Sequence, residues 1–393
     1  MLVPRNVTRS LPLSFTLLHQ RKHVLVFYAA QTIEKGEQMS EPICLCYESA
    51  LEAWRTSRKR VSLANPATAT KPSLLIRLLF EGGKDVDSSA LPRPTRVTKI
   101  PTKIDVAVIE EFREGEPLLA VAPHLAISRR SSRRYIRGAA CHLVSGSYPT
   151  GSFCRISELA LVSSPELTFM QMARMLEFEE LVAYGFELCG YYSRTSDNMG
   201  FCSCPPVTSV AAIQKYLERL ERIRSRRGEG MPWGFAPALK ALAYVRDGAA
   251  SPEEAITTMV LTLPRMVGGY ELPAPRLNER VLLGARAART FGIDSFVCDL
   301  SWNGGAQVLE YHGSQHKLRS RRTYDMRKGN VLGSDGRSVI VMDRTILSRQ
   351  GPMDEIAKSL SLALGVPWRD PTPGIATRQL KLRNRLVRYL DER

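Results

Sequence analysis

The 393-residue chain is 44% hydrophobic, enough to fill real cores, and its length suits two or three domains. Its 55 Lys and Arg outweigh 39 Asp and Glu to give a formal charge of +16, so an anionic partner is expected, nucleic acid before a membrane surface. The apolar run from Leu11 to Tyr28 is broken by His19, Gln20, Arg21, Lys22 and His23, which excludes a bilayer span there; the start does not read as a signal peptide. Eight cysteines without framework or zinc-knuckle spacing suit reduced thiols in a cytoplasmic protein.

In chain order, residues 1–105 form a region of unclear fold. VLVFYA (24–29) reads as a buried strand, Cys46 to Arg60 as a helix, and the Pro-, Thr- and Lys-rich stretch near 84–104 as a linker. Residues 106–245 read as a mixed α/β middle region. IDVAVI and PLLAVAP look like strands, and Ser163-Ser164-Pro165-Glu166 looks like a helix start with a capping residue and a first-turn proline. Thr208 to Arg224 is an amphipathic helix, Ala236 to Val245 a shorter one, and His142 reads as a packed or surface histidine.

Residues 246–393 carry the chemistry. Ser251-Pro252-Glu253-Glu254 opens a helix, in which Glu254 either closes a capping box with Ser251 or reaches toward a site; one side chain could hardly serve both. Leu277 to Arg289 is expected as a second helix begun by Asn278. FVCDL and VLEYH flank an Asn-Gly-Gly hairpin signal. With Gly304 and Gly305 in the turn, Asp299 faces Glu310 and Val297 faces His312. One face then holds Phe296, Cys298, Leu300, Leu309 and Tyr311; the other holds Asp299, Glu310 and His312. Facing carboxylates repel unless a cation or shared proton lies between them, and a divalent ion with oxygen ligands resolves the conflict. Lys317 to Leu332 is expected as an exposed helix whose Lys317, Arg319, Arg321, Arg322, Arg327 and Lys328 suit a phosphate backbone. SVIVM is a buried strand, and helices over Met353–Leu364 and Thr377–Leu390 close the chain.

This C-terminal pattern resembles the PD-(D/E)XK nuclease superfamily, in which an Asp ends one strand and Glu-x-Lys lies on the next. More narrowly it resembles the branch related to very-short-patch repair (Vsr) endonucleases, through Asp299, Glu310-Tyr311-His312-Gly313, His316, Asp325-Met326-Arg327 and Gly336-Arg337-Ser338-Val339. The departure is His312, where the family shows Asp or Lys. The resemblance implies an α/β fold with an αβββαβ core and Mg²⁺ or Mn²⁺ held by Asp299, Glu310 and the Tyr311 carbonyl. It also implies catalytic roles for Asp299, Glu310, His312, His316 and Glu254, a phosphate clamp at Arg327, and an Asp325 that orients Arg327 or His316. Residues 137–192 resemble the middle region of abortive-infection antitoxin-like (AbiEi-like) proteins, with Gly138, His142 and Gly190 in similar places. Together these lead to the expectation of a metal-dependent DNA endonuclease, with phage defence and a toxin–antitoxin partner as its setting. The alternatives are a DNA-binding regulator with a degenerate nuclease shell, or a surface hairpin with a chance acidic pair.

Overall fold

The computed structural model describes residues 41–64, 96–97, 100–115, 122–132, 135–195, 200–313 and 319–391. The expected strand 24–29 and most of the expected linker lie outside them. The N-terminal layer is built around β1 (Ile43–Leu45), all three of whose side chains are buried. It is followed by α1 (Tyr47–Ala64), β2 (Arg96–Val97), α2 (Val106–Gly115), β3 (His124–Ile127), β4 (Ala140–Leu143), β5 (Phe153–Arg155) and β6 (Ala160–Ser163). Their sheet order is β2-β5-β6-β1-β3-β4, with β1 parallel to β6 and antiparallel to β3, and β3 parallel to β4. Within IDVAVI, Val106–Ile109 is helical rather than extended. Asp105 Oδ1 accepts the Ala107 N–H at 3.0 Å, and Val108, Ile109 and Phe112 are buried at helical spacing. Most of PLLAVAP falls outside the described residues.

Next come α3 (Pro165–Met172), capped by the Ser164 hydroxyl with Pro165 in its first turn, and α4 (Phe178–Cys189). A small β7–β8 ribbon (Tyr192–Arg194, Phe201–Ser203), α5 (Val210–Arg226) and α6 (Phe235–Leu242) follow. The C-terminal part runs α7 (Pro252–Thr262), β9 (Arg276–Leu282), α8 (Ala285–Phe291), β10 (Ser295–Trp302), β11 (Gln307–His312), α9 (Arg319–Ser334) and β12 (Ser338–Asp343). It ends with α10 (Arg344–Ser348), α11 (Gln350–Ala363) and α12 (Pro373–Asp391). The sheet order here is β12-β11-β10-β9; β10 is antiparallel to both neighbours, and β11 runs parallel to β12. The α/β class expected from the sequence is what folds.

The helix expected over Leu277–Arg289 is instead an edge strand and a short helix. Asn278 has φ 49°, which no helix interior accommodates, and β9 pairs with β10 from Ser295↔Leu282 to Ser301↔Arg276. The core order is therefore αβαββαβ, with α8 inserted into the expected αβββαβ. Across residue 245 the packing is continuous. One core cluster runs from Ile43 to Leu386, and all described elements belong to the compact unit Glu41–Arg393.

A buried ion cluster spans both parts. Glu187, 1% exposed, accepts two 2.9 Å hydrogen bonds from Arg55 of α1, one from Ser193 Oγ, and one from the Tyr389 hydroxyl of α12. Burial alone pushes its pKa up, but Arg55 and Arg58 outweigh that and hold it at about 2. Among the described residues no helix is long and apolar enough to cross a membrane.

The hairpin turn depends on a glycine. Gly305 has φ 85°, and a Cβ there would stand 2.5 Å from Val281 Cγ1 and 2.8 Å from Arg337 Nη1. Gly305→Ala is expected to lower the unfolding free energy by about 1–3 kcal/mol through positive-φ strain and overpacking. A urea titration checks this, and an unchanged midpoint would contradict it.

Candidate active site

The hairpin has the register read from its turn: Leu300↔Leu309, Ser301↔Val308 and Trp302↔Gln307. Continued by one step it places Asp299 across from Glu310, but there the ladder gives way. The Asp299 carboxylate itself accepts the Tyr311 N–H at 2.8 Å, a bond that strand pairing would otherwise supply. Packing shows a second consequence. Leu300, Leu309 and Tyr311 join the main core, as expected, whereas Phe296 and Cys298 pack with Val308, Val331 and Leu332 in a separate cluster. The side-chain alternation of β10 therefore reverses at Asp299, and the single apolar face expected for these five residues does not form. On the other flank, Asn278 sits across from Asp299 between the pairs Cys298↔Glu279 and Leu300↔Leu277. Its left-handed φ, tolerable for Asn, marks the same local distortion.

Glu310 faces α9. Lys328 Nζ lies 2.5 Å from Glu310 Oε2 and donates at 2.6 Å to the Val297 carbonyl, and Lys328 is only 6% exposed. This corrects the expectation that Lys328 belongs to a solvated basic face. One turn earlier on α9, Asp325 Oδ2 stands 3.9 Å from His312 Nε2. Residues 325 and 328, three apart on a helix, thus meet residues 312 and 310, two apart on a strand. The inward stripe of α9 begins with charged residues and becomes apolar only at Val331 and Leu332. That is why its apolar periodicity is weak in sequence. Asp325 was expected to orient Arg327 or His316; the contact here is His312.

Glu254 reaches the site from the first turn of α7. Its backbone N–H donates to Ser251 Oγ at 3.2 Å, and its carboxylate accepts the Ala250 N–H at 2.8 Å and Asn278 Nδ2 at 2.5 Å. Capping and a place beside Asp299 are therefore combined in one side chain, contrary to the expectation that they exclude each other. Burial, then the charge of Asp299, push the Glu254 pKa up to about 7. The same two causes push Glu310 up, and Lys328 opposes them. Burial works against the Lys328 ammonium, but the Glu310 carboxylate more than offsets it and leaves its pKa raised.

The remaining expected residues are less converged. His316 and Lys317 lie outside the described residues, as do the side chains of Arg319, Arg321 and Arg322 in the first turns of α9. Arg327 is exposed, and its Nη2 donates at 3.2 Å to the Phe291 carbonyl at the end of α8, so part of its role is to tie two helices together. Sequence reading placed Lys328 on the DNA-facing surface and Asn278 at a helix start. The signal for Lys328 was the Asp325-x-x-Lys328 spacing opposite Glu310-x-His312. For Asn278 there was little, because β9 buries only Val281 fully and shows no alternating pattern. A cavity of about 200 Å³ near the hairpin turn is lined by Glu279, Ser301, Trp302 and Asn303 and does not include Asp299 or Glu310.

Whether a divalent ion fits can be judged from the donors. Glu310 Oε1 is buried with no hydrogen-bond partner, and the Cys298 thiol, a weak donor, lies beside the carboxylate. An unpartnered, desolvated carboxylate oxygen beside a second carboxylate is a hard-oxygen set of the kind Mg²⁺ or Mn²⁺ takes. Among the described residues, no three His, Cys, Asp or Glu are gathered closely enough to cage an ion, so water or substrate oxygens would complete the shell. No family model, no curated protein and no solved structure matches this chain.

The raised pKa of Glu254 has a defined sign. The folded protein holds this proton between pH 4.5 and about 7, where the unfolded chain releases it, so stability falls as pH rises through that window. Glu254→Gln, which mimics the protonated form, is expected to gain on wild type by on the order of 2 kcal/mol between pH 5 and pH 8 in metal-free buffer. Chemical denaturation at the two pH values checks this; a constant difference would contradict it.

Proposed function

We propose that this chain is a metal-dependent endonuclease that hydrolyses phosphodiester bonds in DNA. The observation that carries the reading is the meeting of an Asp, a Glu and a Lys from three elements: Asp299 on β10, Glu310 on β11 and Lys328 on α9. The resembled superfamily pattern asks for Asp, Glu and Lys, and His312 occupies the strand position of its lysine. In this reading Lys328 delivers the ammonium from the neighbouring helix instead.

Asp299, Glu310 and the Tyr311 carbonyl would hold the Mg²⁺ or Mn²⁺ ion. When bound, such an ion lowers the pKa of water and relieves charge on the leaving oxygen. The protein's own groups do the rest. Lys328 keeps positive charge beside Glu310 where phosphate oxygens would gather. Glu254, with a pKa of about 7, can take up or release a proton near neutrality. His312, whose Nε2 stands 3.9 Å from Asp325 Oδ2, is a second side chain able to carry a proton. The basic residues of α9 other than Lys328, and the exposed Arg129, Arg130 and Arg137, would follow the DNA backbone. A cytoplasmic setting in phage defence, with a protein partner in a toxin–antitoxin pair, rests on the AbiEi-like resemblance of residues 137–192.

A second reading, DNA binding without turnover, is favoured by one observation. Lys328 already neutralises Glu310, so the carboxylates can be stable without an ion. Incubation of the purified chain with plasmid and Mg²⁺ or Mn²⁺ separates the two. The endonuclease is expected to nick or cut, and Asp299→Ala to lower the rate by roughly a hundredfold or more. Lys328→Met is expected to abolish cleavage and also to cost about 3 kcal/mol of stability, because Glu310 loses its buried partner. Tight, salt-sensitive binding without cleavage supports the regulator instead.

A further inference from the structure

A second cluster of titratable groups lies far along the sequence from the carboxylates, where β1 passes into α1. In the parallel pair β3–β4, Ala126 is level with His142 and His124 is two residues before Ala126. His124, Ala126 and His142 therefore project from one face, and the small Ala126 leaves room for both rings. His142 Nε2 lies 3.1 Å from His124 Nδ1, with ring centroids 4.9 Å apart and planes at 26°. On the far side of His124, Nε2 stands 3.4 Å from Glu48 Oε2. A hydrogen on Nε2, facing that carboxylate, would leave the Nδ1 lone pair turned toward His142.

The surroundings hold the pair rigidly. The Tyr47 ring stacks on His142 at a centroid distance of 4.2 Å and an angle of 29°. The His124 backbone is clamped to the start of α1 through its N–H to Ser49 Oγ at 2.8 Å and its carbonyl to the Cys46 N–H at 3.0 Å. Tyr47 has φ 49°, an uncommon conformation for an aromatic residue, and its N–H donates to Gln171 Oε1. Strain of this kind persists only where the neighbours over-determine it.

We propose that His124 and His142 form the protein half of a site for a borderline divalent transition ion of the zinc class, with Glu48 orienting His124. Two nitrogens bound to one such ion at about 2.0–2.1 Å stand about 3.4 Å apart in tetrahedral geometry and about 2.9 Å apart at a right angle. The observed 3.1 Å, a ring-to-ring hydrogen bond that the ion would replace, lies between these limits. Imidazole nitrogens select zinc, cobalt, nickel or copper over magnesium, so this site differs in kind from the carboxylates of β10 and β11. A carboxylate behind a ligating histidine is the usual means of fixing ring and tautomer. Among the described residues no third His, Cys, Asp or Glu completes the set, which leaves positions for water or an exogenous ligand.

The test is titration of the full, metal-free chain with Co²⁺, followed by visible absorption and by heat. Asp299→Ala serves as the parent, so that the hairpin carboxylates cannot contribute. One equivalent is expected to bind. His142→Gln and His124→Gln should each weaken it by at least roughly tenfold, and Glu48→Gln by roughly 10- to 100-fold. Circular dichroism verifies folding. Glu48 is largely exposed, and its substitution carries the test should a histidine variant fail to fold. No binding by the parent, or an affinity unchanged in Glu48→Gln or in any folded histidine variant, overturns the proposal.

Discussion

A carboxylate taken out of water must find donors or lose its charge, and the C-terminal sheet is shaped by that constraint. Asp299 meets it by accepting the Tyr311 N–H, which interrupts the β10–β11 ladder and reverses the alternation of β10. Glu310 meets half of it through Lys328, with its second oxygen left unpartnered. Glu254 meets it through the α7 cap and Asn278. Each solution uses a different element, so the three acidic groups are held by α7, β9, β11 and α9 together.

The reversal at Asp299 also explains why two apolar clusters exist where one was expected. The small cluster under α9, with Val281, Phe296, Cys298, Val308, Val331 and Leu332, fixes the rotation of that helix. Once that rotation is set, Lys328 one turn before Val331 can only point at the sheet. Helix packing thus delivers the ammonium, and the ion pair in turn neutralises charge that the apolar cluster could not tolerate. The Glu187 cluster acts on a larger scale. It joins α1, α4 and α12 through one buried carboxylate, so the last helix is part of the first core rather than an appendage.

Much of this was readable from the sequence, and the reason is local. Asn-Gly-Gly sets a turn, and a turn sets a register, so the level of Asp299 against Glu310 needed nothing from the rest of the chain. Ser164-Pro165 and Ser251-Pro252 announce helix starts because capping is an interaction among four consecutive residues. The amphipathic helices followed from periodicity, and the α/β class from strand-like and helical stretches together with the resemblance of the C-terminal pattern.

What only the tertiary structure decided involves partners distant in sequence. IDVAVI has strand-like composition, but Val106–Ile109 starts a helix once Asp105 caps it and Val108, Ile109 and Phe112 join the main core. Residues 276–282 look helical until β10 offers an edge to pair with. Lys328 reads as one more surface cation until Glu310, eighteen residues earlier, is folded beneath it. His124 and His142 look unrelated until two parallel strands set them level. Local hydrogen bonding and periodicity are written in neighbouring residues, whereas burial, and the charge pairing it enforces, exists only after distant segments have met.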